Sequence, residues 1–174
     1  NAYSFNGVDG YVNLGDLYLN IANAYSIGVW FKSSGNGDYQ SLISRDGDSI
    51  RFWQFRLEPS GEVRFIRFNS TNSVVANFST SQTYLDNNFH LAIVTFSNTN
   101  GSKIFVDGVE KASDSDLTSN QSGMGIDILL GANPRNNVEQ FFNGIIDEVS
   151  IYANHELTAV EISNLYNNGN GITI

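Results

Sequence analysis

The sequence predicts an all-β protein, a two-sheet antiparallel β-sandwich with one short C-terminal helix. Segments rich in β-branched and aromatic residues recur along the chain, and clusters of Gly, Asn, Ser and Asp separate them at roughly regular spacing. Only one stretch has helical periodicity. The 174 residues suffice for one domain, and no linker or internal repeat divides them, so we expect a single domain over 1–174.

Nine segments have the composition of β-strands. They are 11–15, 25–33, 40–45, 50–58, 62–69, 90–97, 102–108, 127–132 and 142–152. The intervening clusters, such as SGNGD, EPSG and SNTNGS, contain the residues that tolerate positive φ or initiate turns. Antiparallel hairpins are therefore expected along most of the chain.

The helix is predicted to begin after Thr158, a suitable N-cap whose capping-box partner would be Glu161. Apolar residues recur at helical spacing at 159, 160, 162 and 165. The run Asn167-Asn168-Gly169 then supplies residues that end helices.

Composition excludes several classes of function. The chain has no cysteine, so it can form neither a disulfide nor a thiolate metal site, and it has no cysteine nucleophile. A net charge of -9 and a pI near 4.4 argue against nucleic acid as a partner. No apolar stretch of about 18 residues occurs, so no membrane-inserted helix is expected.

The first residue and the polar composition indicate the kind of protein from which this chain comes. Asn1 is not an initiator methionine and no basic-then-apolar segment follows, so we expect a mature or excised piece of a longer protein. Abundant Asn, Ser and Gly are typical of secreted or cell-surface β-proteins. Four N-x-[ST] sequons, at Asn69, Asn77, Asn100 and Asn120, are either glycosylation sites or chance products of this composition.

Four segments resemble laminin-G-like, concanavalin A-like jelly-roll domains. They are FNGVDGYVNLG (5–15), YSIGVWFKS (25–33), FHLAIVTFSNTNGSKIFVDGVEK (89–111) and FFNGIIDEVSIYANHELTAVEISNLY (141–166). They include both ends and the middle, so the resemblance extends over the whole chain. It implies two curved sheets packed face to face, an inward-facing Trp30 and a closing strand followed by a short helix.

The closing strand contains an acidic pair, Asp147 and Glu148. Strict alternation would place Asp147 on the core face with Val149 and Ile151. A buried carboxylate requires hydrogen bonds, a cation or a partner charge, and calcium binds through oxygen ligands alone.

The resemblance implies a structural calcium ion held by Asp147 and Asp9, with Asn6 and Gly7 as further donors. The alternative is that Asp147 accepts backbone N–H bonds from the opening strand. The DGD (46–48) and DSD (114–116) sequences do not continue into an EF-hand loop and are interpreted as turns.

Catalysis is not expected, although the resembling fold also hosts glycoside hydrolases and polysaccharide lyases. Ile145 and Ser150 stand where the glycosidase pattern Glu-x-Asp-x-x-Glu requires glutamates. His90 and His155 lack the context of the lyase histidine, so we interpret His90 as a framework residue and His155 as a turn residue.

Five of the nine basic residues lie between positions 45 and 67. If the strands around EPSG pair so that Phe55 faces Phe65, then Trp53 and Phe65 lie in the core and Arg56 lies opposite Arg64. Opposed like charges are unfavourable unless an anion, a nearby acid or solvent relieves them. The cluster is either a binding site for acidic polysaccharide or a solvated outer face with Glu58, Glu62 or Asp48 as neighbours.

The function predicted from the resemblance and the arginines is a non-catalytic, extracellular carbohydrate-binding or adhesion module of a larger protein. The predicted ligand residues are Arg56, Arg64 and Arg67, with the loop aromatics Tyr39 and Phe141 as stacking surfaces. The alternative is a structural or protein-binding surface domain without glycan affinity. The expected partners are a glycan, a protein or other domains of the same polypeptide.

Overall fold

A computed structural model describes residues 2–17, 19, 21, 23–35, 37–121, 123 and 125–171. Its elements, in chain order, are β1 (Tyr3–Asn6), β2 (Val12–Asn13), β3 (Ala24–Lys32), β4 (Gln40–Asp46), β5 (Arg51–Leu57), β6 (Glu62–Phe68), β7 (Val74–Thr83), β8 (His90–Ser97), β9 (Gly101–Val106), β10 (Val109–Asp114), β11 (Leu129–Leu130), β12 (Asn143–Ala153), helix α1 (Ala159–Tyr166) and a 3₁₀ turn (Asn167–Gly169).

The strands form two antiparallel six-stranded sheets. The first sheet has the order β1-β12-β3-β8-β9-β10 and the second has the order β2-β11-β4-β5-β6-β7. The strand that opens the chain therefore lies beside the strand that closes it. This arrangement confirms the predicted jelly-roll sandwich with its short C-terminal helix.

The main core lies between the sheets and is dominated by aromatic rings. Trp53, Phe55 and Phe65 are fully buried, and the last two pack edge to face with ring centroids 6.1 Å apart. The prediction that Trp53 and Phe65 are core residues is thus confirmed.

Helix α1 covers the outer face of the first sheet. Thr158 and Glu161 form the predicted capping box, and Asn167 ends the helix in the left-handed region. Trp30 is buried, but it packs under this helix and stacks on Tyr166 at 5.9 Å, so the expectation that it faces inward is wrong. Because the helix buries the outer face, β3 is apolar on both faces.

The observed strands differ from the predicted segments at the edges of the sheets. The predicted strands at 11–15 and 127–132 shorten to the two-residue strands β2 and β11. β7 was not predicted, because this edge strand exposes polar residues and its apolar positions are few. In the described part of the chain, no helix has the length and apolar character needed to cross a membrane.

Candidate functional site

The outer face of the second sheet carries the predicted arginine pair. Arg56 on β5 lies opposite Arg64 on β6, in the register that also pairs Phe55 with Phe65. Alternate residues of each strand face the core, so both arginines point away from it. The predicted register is confirmed.

A carboxylate between the two guanidinium groups relieves their repulsion. The Nε atoms of Arg56 and Arg64 lie 3.0 and 2.8 Å from the same oxygen of Glu58. Arg56 also donates to Gln54 at 2.8 Å, and Arg64 donates to Asn77 at 2.6 Å. Of the three alternatives left open by the sequence, the nearby acid is the one observed.

The contacts around Arg56 and Arg64 form a network of side chains that continues to the C-terminal end of β4. Arg51 donates from Nε and Nη2 to the two carboxylate oxygens of Asp46, at 2.7 and 3.0 Å, in a bidentate pair. Gln54 also donates to Asp46, and so links the two arginine pairs. Asp46, expected to lie in a turn, is instead the fully buried last residue of β4.

Tyr39 lies at the rim of this network. The guanidinium carbon of Arg56 is 4.4 Å from the centre of its ring, a cation–π contact, and the residue is 39% exposed. Phe141 instead packs against Tyr11, with ring centroids 6.5 Å apart. We name as the arginine face the set Tyr39, Asp46, Arg51, Gln54, Arg56, Glu58, Arg64 and Asn77.

Arg67 does not belong to the arginine face. It alternates with Val63 and Phe65, so it points into the sandwich, where its side chain is fully buried. Its guanidinium donates to the Asp116 carbonyl at 2.8 Å and to the Thr118 carbonyl, and burial lowers its pKa below the usual value. The prediction that Arg67 contacts ligand is therefore wrong.

Asp147 does not face the core either, because a β-bulge interrupts the closing strand. Asp147 pairs with Trp30 and Ser150 pairs with Gly28, so β12 has one more residue than β3 between these pairs. Glu148 has a φ of 44°, in the left-handed region. Asp147 therefore shares the outer face with Trp30.

The only hydrogen bond that Asp147 accepts among the described residues comes from the backbone N–H of Glu148, at 2.9 Å. The predicted bonds from the opening strand are absent from this set of residues. The Asp147 side chain is partly exposed rather than buried, so the desolvation argument for a bound cation does not apply to it.

The four predicted calcium ligands do not form one site. Asn6 pairs with Asn143, whereas Asp147 lies four positions further along β12, about 13 Å of strand. The Asn6 side chain accepts from three backbone N–H groups and donates to Asp9 at 2.8 Å, while Gly7 donates to the Phe142 carbonyl. This donor set does not fit a calcium ion, and calcium binding by the chain stays a prediction.

Within the part of the chain that the structure describes, no group of three or more His, Asp or Glu side chains is placed to hold a metal ion.

The two histidines lie in hydrogen-bonded frameworks. His90 is 2.8 Å from Asp107 and 3.1 Å from Asp86, and its bond to Asp107 raises its pKa above 6.5. His155, in the loop before α1, is 3.1 Å from Glu161. Both expectations for these residues are confirmed.

Comparison with known proteins gives a family and a fold. The sequence profile described as Laminin_G_3, concanavalin A-like lectin/glucanases superfamily, matches residues 6–163. No curated protein matches the sequence.

Three similar solved structures illustrate the fold. Domain 4 of AbnA, a GH43 extracellular arabinanase from Geobacillus stearothermophilus, in complex with arabinotriose, is 22% identical with a TM-score of 0.71 over 93% of this chain and 74% of that one. The SAP-like pentraxin of Limulus polyphemus is 13% identical, with a TM-score of 0.72 over 98% and 83%.

The botulinum neurotoxin serotype D ligand binding domain, in complex with N-acetylneuraminic acid, is 18% identical, with a TM-score of 0.68 over 95% of this chain. The present chain spans only 41% of that domain. The profile match extends over most of the sequence, and the two-sheet architecture agrees with it. The chain therefore belongs to the Laminin_G_3 family of the concanavalin A-like lectin/glucanases superfamily.

Proposed function

We propose that this domain is a non-catalytic carbohydrate-binding module of a larger secreted or cell-surface protein, and that it binds an acidic glycan on the arginine face. Similar structures with bound arabinotriose or N-acetylneuraminic acid support a glycan as ligand. The extracellular arabinanase supports secretion.

The observation that carries the proposal is the Arg56–Glu58–Arg64 cluster beside Tyr39. The arginine face concentrates three arginines on a chain of net charge -9, and Asp46, Glu58 and the neighbouring Glu62 on β6 are the carboxylates beside them. The planar fork of a guanidinium matches the oxygens of uronate and sulfate groups. The Glu58 carboxylate can accept from neighbouring sugar hydroxyls, and the Asn77 amide can donate to them.

The same contacts hold the binding groups in place before ligand arrives. Asp46 and Gln54 are buried and fix the guanidinium planes of Arg51 and Arg56, while Tyr39 and Asn77 remain exposed at the surface. Because these side chains are already ordered, little rotamer entropy remains to be lost on binding.

Titration calorimetry against heparin, polygalacturonate and neutral arabinan tests the proposal. We expect saturable, salt-sensitive binding of the two acidic glycans, about tenfold weaker in Arg64→Gln, which corresponds to about 1.4 kcal/mol. The matched control is Lys103→Gln, which removes a positive charge from the first sheet. The two side chains have similar exposure, 34% for Lys103 and 26% for Arg64. Equal losses in the two variants would contradict a specific site.

The second candidate is a structural or protein-binding domain without glycan affinity. It is favoured by the internal pairing of Arg51, Arg56 and Arg64, each of which already contacts a carboxylate. The same titrations separate the two functions, since this candidate predicts no heat of binding for any of the three glycans at millimolar concentration.

A further inference from the structure

Among the residues that the structure describes, no strand pairs with one edge of the closing strand over most of its length. β1 pairs with β12 only from Asn143 to Ile146, and the pairing ends where the bulge begins. From Asp147 to Ala153, β3 is the only strand that pairs with β12 in the described structure. An open edge presents backbone N–H and C=O groups that a further strand can bond.

An apolar cleft of about 390 Å³ lies beside this edge, between the two sheets. Its walls are Tyr3, Leu14, Leu130, Ile146, Val149 and Ile151. Val149 and Ile151 alternate along β12 and are only partly buried, although they pack against the main core. The cleft therefore offers places for alternate apolar side chains of an extended segment.

Asp147 and Glu148 give the cleft an acidic mouth. Neither carboxylate forms a salt bridge to any basic side chain of the described chain, and Glu148 is exposed. A lysine or arginine at that end of an incoming segment would provide the missing charge.

We propose that this edge binds an extended segment of a partner polypeptide, which adds to the first sheet as a strand antiparallel to β12. The segment would continue the line of β1, cover about seven residues of β12 and insert alternate apolar side chains into the cleft. Its C-terminal end would carry a basic residue facing Asp147 and Glu148. A second copy of this chain is a poorer occupant, because it would bring two acidic edges and two net charges of -9 together.

A synthetic peptide, acetyl-Val-Thr-Val-Thr-Val-Thr-Lys-amide, is the probe, because with its lysine opposite Asp147 its valines lie opposite Val149, Ile151 and Ala153. We expect saturable binding by fluorescence anisotropy, and slower amide hydrogen exchange at residues 147–153 in the bound protein. A peptide of the same composition with its three valines consecutive, acetyl-Val-Val-Val-Thr-Thr-Thr-Lys-amide, should bind at least tenfold more weakly.

Two sets of variants locate the site. Asp147→Asn with Glu148→Gln should weaken binding severalfold and reduce its salt dependence, and Ile151→Lys should abolish it. The matched control is Val74→Lys on β7, the last strand of the second sheet, where Val74 is exposed, and it should leave affinity unchanged. The exchange measurement uses the wild type, so it tests the proposal even if Ile151→Lys does not fold.

Three results would overturn the proposal. They are equal affinity for the two peptides, protection that falls on β7 or β10 instead of residues 147–153, and concentration-dependent protection of 147–153 without peptide, which would make a second copy the occupant. This site is separate from the arginine face, so glycan binding and peptide binding can each fail without the other.

Discussion

Arg56 and Arg64 lie directly opposite each other on β5 and β6, and their Nε atoms share one oxygen of Glu58. Removing that charge leaves two facing cations. We expect Glu58→Gln to lower the free energy of unfolding by about 1–2 kcal/mol, measured by urea denaturation, with part of the loss recovered at high salt. Glu110→Gln, which affects a surface pair with Lys103, should cost less than about 0.5 kcal/mol.

Arg67 is a buried interior arginine. Arg67→Met should destabilise the fold by about 3 kcal/mol or more, because the buried guanidinium would be lost and the partly buried carbonyls of Asp116 and Thr118 would lose their donors. Arg67→Lys should cost nearly as much, since one ammonium group cannot reproduce the guanidinium fork. Unfolding of either variant at the wild-type urea midpoint would contradict this role.

Stability should depend on pH through His90. Its bond to Asp107 raises its pKa above 6.5, so its contribution is fully present below pH 6.5 and is lost as the pH rises through the higher folded-state value. We expect the thermal midpoint to fall on this alkaline side in the wild type and to fall less in His90→Gln. Parallel curves for the two proteins would show that another group titrates.

Asp86 should affect the pH dependence of stability in the opposite direction to His90. Hydrogen bonds from Asn88 and then His90 lower its pKa from 3.8 to about 2, so its contribution is present above pH 3.8 and is lost as the pH falls towards 2. Asp86→Asn should therefore show a shallower loss of thermal stability between pH 4 and pH 2 than the wild type. If Asp86→Asn lost thermal stability between pH 4 and pH 2 as steeply as the wild type, the Asp86 carboxylate would not be the cause of that loss.

The backbone conformation at the bulge predicts how substitutions of Glu148 change stability. Glu148 has a φ of 44°, which β-branched residues adopt only under strain. Glu148→Val should cost about 1–2 kcal/mol, whereas Glu148→Gly should stay within about 0.5 kcal/mol of the wild type. Lys103→Val, in a regular part of β9, controls for the introduction of valine into a strand.

Whether Asp147 takes part in calcium binding can be tested by comparing the wild type with Asp147→Asn. We expect the difference between thermal midpoints in EDTA and in millimolar Ca²⁺ to be the same for the wild type and Asp147→Asn, because Asp147 lies far along β12 from Asn6 and Asp9. A calcium-dependent shift that disappears in Asp147→Asn would restore the ligand set expected from the sequence.

The sequence predicted the regular parts of the fold and missed its irregular ones. β5 and β6 each bury one face, so alternation alone placed Phe55 opposite Phe65 and Arg56 opposite Arg64. The bulge has no comparable signal, because a change of φ at a glutamate leaves no mark in the pattern of apolar residues. Because strict alternation does not allow for the bulge, it placed Asp147 on the core face.

The candidate site was predicted in part for similar reasons. Tyr39, Arg56 and Arg64 do meet on one face. Arg67 was placed with them by its residue type, although its alternation with Val63 and Phe65 already indicated the core. Glu58 was among the acidic neighbours expected from the sequence. The role of Asp46 depends on side-chain geometry across the sheet, which a linear pattern does not contain.

The pairing of Tyr3 with Ile146 also affects how the domain folds. The first strand of this chain cannot form its ladder until the last strand has been made, so during synthesis β1 remains unpaired while almost the whole domain leaves the ribosome. Closing so long a loop is entropically costly and slows folding. Until it closes, Phe5, a core residue of the finished domain, stays in contact with water, and the nascent chain is open to aggregation.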